Sequence, residues 1–488
     1  MRTSRSVFLS AAVIAACSVF SCRAEVSAKT VAPKNVLFIA VDDLRLQGNI
    51  FGQDNMKTPN LDRLCAEGVV FNRAYCNVPV CGASRACLLS GVRPTADRFL
   101  GFAAKKDEDM PSVPSLGKWF REQGYITLSN GKIYHHANDD LKAWSEPLFD
   151  PPRNKTFGEE WSMYQSPESG RLIAEYGAQN PGEKRAKTPV VEAADVPDEG
   201  YPDGRLTQKV IEDMRRLSKQ DQPFFLTAGF WKPHLPFCAP KKYWDLYSDD
   251  EIKLADNQYK PENAPKQAMH KWQELRNYLD VPQKGPVPPD MQKKLVHGYY
   301  ACVSYVDAQV GKLLDELEAL GLKENTIVIL WGDHGWHLGE HSLWAKHCNF
   351  NRVLNAPLIV SAPGLSQGLQ TEAITEFIDI YPSLCDLAGI KKPDHLAGTS
   401  FVPVLQNPAR SVKEYAFCRF QKGESVVSAT YNYTEWYNYK TGEVDARMLY
   451  NLDKDPAENT NISENPEYAG VVKKMSDQLS ALRQELKK

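Results

Sequence analysis

The sequence predicts an α/β protein built on a large, mostly parallel sheet flanked by helices, and three observations predict it. Short apolar runs end in polar residues or glycine, amphipathic stretches separate them, and charged or imidazole side chains follow several runs directly. Asn35–Val41 (NVLFIAV) reads as a buried strand, as do segments 125–129, 224–229, 325–331 and 357–361. Segment 299–320 places Val303, Val306, Val310, Leu313 and Leu314 at helical spacing and reads as a helix leading into the 325–331 strand. Segments 150–204 and 256–290 are rich in Pro, Gly, Asp and Glu with little periodicity, and are expected to be long loops over one sheet edge, where substrate selection resides. After residue 407 the pattern changes to strands at 415–420 and 425–433, a turn at Asp453-Lys454-Asp455-Pro456, and a terminal helix carrying Val471, Met475, Leu479 and Leu482. The expected organisation is an α/β domain over 29–406 and a smaller α+β subdomain over 407–488, a short antiparallel sheet plus one helix.

Composition narrows the function. A chain of 488 residues, 42% hydrophobic and 24% charged, can bury a large core. A formal net charge of -3 gives no global basic field, which argues against nucleic acid as a partner and requires any anionic ligand to be held by local cations. Arg2 and Arg5 precede an apolar stretch over 7–20 that is short for a membrane span, so residues 1–28 read as an export signal. Val19-Phe20-Ser21-Cys22 resembles a lipobox that would lipidate Cys22, Cys17 ends a competing candidate, and simple cleavage near Ala24 or Ala28 is the alternative. The expected location is outside the cytoplasm: periplasmic, secreted, or a cell-surface lipoprotein. Eleven cysteines without a CxxC pair suggest ordinary small buried residues, with a few paired in an oxidising compartment and Cys81 alone in an unusual setting.

In open α/β sheets ligands bind beyond the carboxyl ends of the strands. Here the first run ends in Asp42-Asp43, the 125–129 run leads to Lys132 and His135, the 224–229 run to Lys232 and His234, and the 325–331 run to Asp333-His334. Singly, an Asp pair is a turn or cap, a Lys a solvated charge, and a His an ordinary polar residue. Together, three carboxylates from two strands would repel unless a cation neutralised them, and hard oxygen ligands suit Ca²⁺ or Mg²⁺. In Val80-Cys81-Gly82-Ala83-Ser84-Arg85-Ala86, small residues permit close backbone approach, and a helix beginning near Cys81 would bind anions and favour a negatively charged nucleophile.

Cys81-Gly82-Ala83-Ser84-Arg85 resembles the Cys-x-Pro/Ala-x-Arg signature of type I sulfatases, whose cysteine is oxidised to formylglycine. Segments 230–237 (FWKPHLPF) and 332–341 (GDHGWHLGEH), with Trp344-Ala345-Lys346, resemble the iduronate-2-sulfatase branch, and Leu449-Tyr450-Asn451-Leu452 through Asp455-Pro456 resembles a segment common near sulfatase C-termini. The resemblance implies an alkaline-phosphatase-like fold and a Cys81 modified by a formylglycine-generating or sulfatase-maturing enzyme. It further implies one Ca²⁺ held by Asp42, Asp43, Asp333, His334 and the modified Cys81, with His334 facing the sulfate or nucleophile more than the ion. By the same resemblance Arg85 and Lys132 steady the formylglycine hydrate, His135 orients or deprotonates it, and Lys346 and His234 face the sulfate, with His234 the acid for the leaving alcohol. The implied substrate is a sulfated oligosaccharide, with a 2-O-sulfated uronic acid leading and other sulfated glycans open.

Lys232 reads as a solvated charge rather than a substrate contact, and Trp231, Trp336 and Trp344 either stack on sugar or pack in the core. His337 and His341 are four apart, but without an HExxH pattern calcium is preferred to zinc. The rival functions are a phosphomonoesterase or phosphodiesterase of the same superfamily and a catalytically silent glycan-binding protein.

Overall fold

The computed structural model describes residues 34–48, 56–151, 163–183, 187–271 and 273–486; the expected signal and its two candidate lipidation cysteines lie outside them. The central sheet contains β1 (Asn35–Val41), β2 (Val69–Phe71), β3 (Ile126–Leu128), β4 (Phe224–Phe230), β5 (Thr326–Gly332), β6 (Leu358–Ser361) and β7 (Leu369–Thr371). Its spatial order is β7-β2-β6-β5-β1-β4-β3. Only β6 runs against its neighbours, so the sheet is mostly parallel, as the apolar runs predict.

β1 is apolar throughout because both its faces are covered. Leu37, Ile39 and Val41 join one core cluster, while Val36, Phe38 and Ala40 join another on the opposite face. Against the first face pack α1 (Pro59–Glu67), α3 (Pro202–Leu217) and the long α4 (Pro289–Ala319), which begins ten residues before the expected helix. Between α1 and α3 in the chain lies α2 (Cys81–Ser90), every residue of which is buried.

Register positions the chemistry. Val41 pairs with Phe230 on one side and with Gly332 on the other, so three adjacent parallel strands end level. The residues that follow, Asp42, Trp231 and Asp333, therefore emerge side by side.

Four expectations change here. Segment 150–204 is more than a loop: its described part holds a helix, Pro167–Gln179, a strand, Val191–Ala194, and the start of α3. Its polar residues are partly buried, as with Glu192, whose carboxylate accepts from the Gln165 and Ser166 backbone N–H groups, and this hides the periodicity. Segment 425–433 is two strands. β8 (Tyr415–Phe420), β9 (Gly423–Ser428), β10 (Tyr431–Asn438) and β11 (Glu443–Asn451) form an antiparallel sheet in chain order, and Ala429-Thr430 makes the β9–β10 turn without the usual Asn-Gly signal. α5 (Ala469–Glu485) covers this sheet with Val472, Met475, Leu479 and Leu482. Val472 rather than Val471 is the residue buried there. All nine described cysteines are buried free thiols, so the expected pairing does not occur among them.

Candidate active site

Asp42 and Asp43 leave the end of β1, and Asp43 adopts a left-handed backbone (φ 60°), a conformation aspartate tolerates better than most residues. Its N–H donates to Asp333 Oδ1 at 3.0 Å, tying the two strand ends together. Asp42, Asp43, Asp333 and His334 are fully buried. Arg85, on the second turn of α2, bridges them: Nε donates to Asp333 Oδ2 at 2.9 Å, Nη2 to Asp42 Oδ1 at 3.2 Å, and Nη1 to the Lys132 and Ile133 carbonyls. Arg85 is thus a clamp on two aspartates.

Lys132 also donates to Asp42. Its backbone lies across β4 because Gly229 has no side chain: a Cβ there would come within 2.4 Å of the Lys132 backbone. Burial pushes both adjacent carboxyls up, but Lys132, His234 and Arg85 hold Asp42 well below the ordinary range, whereas Asp43 stays raised despite Lys346.

Cys81 is the first residue of α2, as the sequence predicts, and Gly82 permits the approach of the neighbouring loop, since a Cβ would meet the Phe102 carbonyl at 2.3 Å. The Cys81 sulfur lies 3.2 Å from His334 Nε2 and 3.8 Å from Asp43 Oδ1. Burial, reinforced by Asp42, pushes the thiol well above its ordinary value. In the unmodified chain, desolvation, Asp42 and Asp333 oppose the preference of a helix end for a thiolate, while Lys346 and Lys132 act with it. His334 Nδ1 faces the Gly335 carbonyl at 3.0 Å and so carries its proton there, turning Nε2 toward Cys81 and, at 3.4 Å, toward Asp43.

The other half of the site is carried on loops. Lys346 lies between Ala345 (φ 70°) and His347 (φ 74°), both left-handed, and reaches Asp43 at 2.9 Å and Glu274 at 3.0 Å. Trp336 backs it, with the ring centroid 4.9 Å from Nζ. His234 donates from Nδ1 to the Leu235 carbonyl at 2.6 Å, which leaves Nε2 facing Glu274 Oε1 at 3.1 Å and Asp43 Oδ2 at 3.8 Å.

Glu274 belongs to the short helix Gln273–Arg276 in the 256–290 segment. Burial pushes its carboxyl up, yet Lys346 and His234 hold it well below the ordinary range. Sequence reasoning missed this residue: a lone Glu in an aperiodic segment carries no local signal. Lys232 was misread for the opposite reason. It is buried, and its ammonium donates to the His234 and Pro236 carbonyls at 2.8 and 2.6 Å, holding the turn that presents His234.

His135 is half-buried, and burial together with Lys132 pushes it down to about 3, so the ring is neutral. Its Nδ1 has no hydrogen-bond partner among the described residues. Trp336 and Trp344 are core residues and are not available for sugar stacking, while Trp231 is partly buried.

A metal is tested by the donor set. Asp43, Cys81, Asp333 and His334 offer ligand atoms within 4.8 Å of one another, as do Asp42, Asp43, Cys81 and His234. The carboxylates do not require a metal to relieve their repulsion, since Arg85, Lys132 and Lys346 already face them. Substrate changes that balance. Counting Glu274, four carboxylates face three cations, and a divalent cation arriving with a singly charged sulfate ester would bring the cluster to neutrality. The oxygen-rich set fits calcium.

A cavity of about 430 Å³ adjoins this centre, lined by Val80 and His347, the chain neighbours of Cys81 and Lys346, and by Leu100, Phe102, His270, Lys271 and Phe420. Phe102 is 69% exposed and Leu100 50%, an apolar rim of the kind that receives a ligand.

The sulfatase family profile matches residues 34–390, and the chain belongs to that family. It is a sulfuric ester hydrolase of the type I class, in the iduronate-2-sulfatase-like branch. A second profile, the C-terminal region of N-sulphoglucosamine sulphohydrolase, matches residues 339–485. The chain is 28% identical to iduronate 2-sulfatase of Mus musculus, over 90% of this chain and 92% of that one. It is 30% identical to a sulfatase of Formosa agariphila, over 90% and 84% respectively. Among solved structures, a protein in complex with its substrate D-glucosamine-2-N,6-O-disulfate superposes with a TM-score of 0.72 at 21% identity, covering 93% of this chain and 98% of that one. Phosphonate monoester hydrolase of Agrobacterium radiobacter superposes at 0.73, also at 21% identity, covering 93% and 96%. Both superpositions establish a shared fold.

Proposed function

We propose that this protein removes sulfate esters from glycans, with a 2-O-sulfated uronic acid as its preferred unit, using calcium and a formylglycine made from Cys81. The observation that carries the proposal is the convergence of Cys81 with three buried aspartates on one side and with Lys346 and His234 on the other. When bound, calcium would be held by Asp42, Asp43, Asp333 and the residue at 81, supplying charge neutralisation, while the formylglycine hydrate would supply an oxygen nucleophile with a built-in route to sulfate release.

This chain's own groups do the rest. Lys346 places a buried ammonium beside Asp43, where the sulfate oxygens would lie. Arg85 fixes the spacing of Asp42 and Asp333, and Lys132 holds Asp42 ionised. His234 presents Nε2 from a turn stapled by Lys232, 3.1 Å from Glu274, and is the group proposed to protonate the leaving sugar oxygen. His135, neutral because burial and Lys132 push it down to about 3, would orient the hydrate. His270 and His347, pushed by burial down to about 3 and about 4, are neutral too, so the adjoining cavity offers a sugar ring Phe102, Phe420 and uncharged imidazoles, with Lys271 as the cation for a uronate carboxylate.

Export with loss of residues 1–28 or lipidation at Cys22, and modification of Cys81 by a formylglycine-generating or sulfatase-maturing enzyme, complete the proposal. Among the described residues no helix is long and apolar enough to cross a membrane. The test is sulfate release from disaccharides that differ only in sulfate position. The 2-O-sulfated uronic acid should turn over fastest, and preference for an N- or 6-O-sulfated unit would replace the substrate assignment while leaving the sulfatase assignment intact.

A further inference from the structure

A second cavity, of about 700 Å³, shares no lining residue with the centre around Cys81. It is bordered by Arg45 and Gln47, by His337 and His341, by Asn351 and Arg352, and by segments 253–257 and 456–458. Four of its buried polar atoms have no hydrogen-bond partner among the described residues, Arg45 Nε, Gln47 Oε1, His341 Nδ1 and Asn351 Oδ1, and a fifth, His337 Nδ1, has only Glu340 Oε2 at 3.7 Å. Arg45, Gln47, His337 and His341 are all more than nine-tenths buried. Native proteins leave few such atoms unpaired, and four around one cavity mark a place where a polar molecule completes the structure.

The orphaned set says what kind of molecule. It holds a fixed donor in Arg45 Nε, two fixed acceptors in Gln47 and Asn351, and an imidazole nitrogen of His341 that acts either way. The charges are largely spent on one another: Arg45 Nη2 pairs with Glu340 Oε1 at 2.8 Å, and Arg352 Nε lies 3.9 Å from the same oxygen. An anion would confront Glu340, Asp256 and the acceptor oxygens, and a cation would confront Arg45, Arg352 and Lys253. A hydroxyl, which donates and accepts, suits every position. Leu254, Val296 and Leu338 supply apolar wall, and the volume falls within the range that takes a small organic ligand.

We propose that this cavity is a second, non-catalytic carbohydrate site that binds a neutral sugar ring or disaccharide through its hydroxyls. The two histidines four residues apart, which hint at zinc in the sequence, are here sugar contacts. The site is independent of the sulfatase assignment.

The test uses the full chain with cellobiose, lactose and N-acetylglucosamine as probes, in excess inorganic sulfate to occupy the catalytic anion site. Calorimetry should show binding that sulfate does not displace. Gln47→Leu and Asn351→Leu should each weaken it about tenfold, the loss of one hydrogen bond with its partner left unpaired, and leave turnover of a small aryl sulfate unchanged. Wild-type crystals soaked in the tightest of the three should show the sugar in the cavity, a readout that needs no variant to fold. Absence of binding by all three sugars, binding that survives both substitutions, or ordered water alone in the soaked cavity would each overturn the proposal. A protein with no sulfatase activity that still binds sugar here would sink the catalytic reading and leave this one standing.

Discussion

The strand-borne and loop-borne halves of the site are built differently. Asp42, Asp43, Asp333 and His334 follow level strand ends, are fully buried, and are cross-linked by Arg85 and backbone hydrogen bonds. His234, Glu274 and Lys346 sit respectively on a turn, on a four-residue helix and between two left-handed residues, and His234 and Glu274 retain solvent contact. The difference teaches where each task is placed. Under the proposed function, the groups that would hold an ion and a nucleophile in fixed geometry are mounted on the sheet, and the groups that would meet a variable leaving alcohol are mounted on loops.

The largest effect should come from breaking the strand-borne half. Asp333→Asn keeps the shape but leaves Arg85 with one carboxylate fewer in a dry site. Sulfate ester turnover should fall by about a thousandfold or more, the scale of a lost preorganised charge. The unfolding midpoint should also drop, because buried Arg85 keeps only Asp42 as a carboxylate partner. Full stability with lost activity would show that Arg85 does not depend on Asp333.

The loop-borne half should separate by leaving group. His234→Ala should lose about 10²- to 10⁴-fold in kcat on a sugar sulfate and much less on a nitrophenyl sulfate, whose leaving group needs little protonation. Saturating rates with both substrates check this, and equal losses would remove the acid role and leave His234 as a positioning residue.

Glu274→Gln should be milder, about tenfold in kcat on the sugar sulfate, because the amide still fits between Lys346 and His234 but presents no carboxylate to either. Its effect should nearly vanish in a His234→Ala background if it acts through that ring, and a double-mutant cycle measures this. Additive losses would mean that Glu274 works through Lys346 alone.

Legibility in the sequence follows the same division. β1, β4 and β5 were readable because a strand covered on both faces is written as an unbroken apolar run, and the residue after it is the one delivered to the sheet edge. Asp42, His234 and Asp333 were singled out this way, and Lys132 from the run that becomes β3. Glu274 was not, since its importance comes from the fold of an aperiodic segment onto Lys346. Lys232 resisted reading because carbonyls four residues or fewer away replace the water a lysine normally seeks. The helix at Pro167–Gln179 was hidden by the small and polar residues it buries, Ser169 and Gly170 beside Ile173.

The central claim is that the residue at 81 acts as formylglycine. A buried thiol pushed well above its ordinary value would be protonated at neutral pH and a poor nucleophile beside three carboxylates. The most direct measurement is mass spectrometry of the peptide containing Cys81, taken from protein whose sulfate ester turnover has been measured in the same preparation. The account predicts an aldehyde-bearing peptide, lighter than the cysteine form and captured by a hydrazide, in proportion to activity across preparations. Fully active protein in which Cys81 is an intact thiol would contradict it.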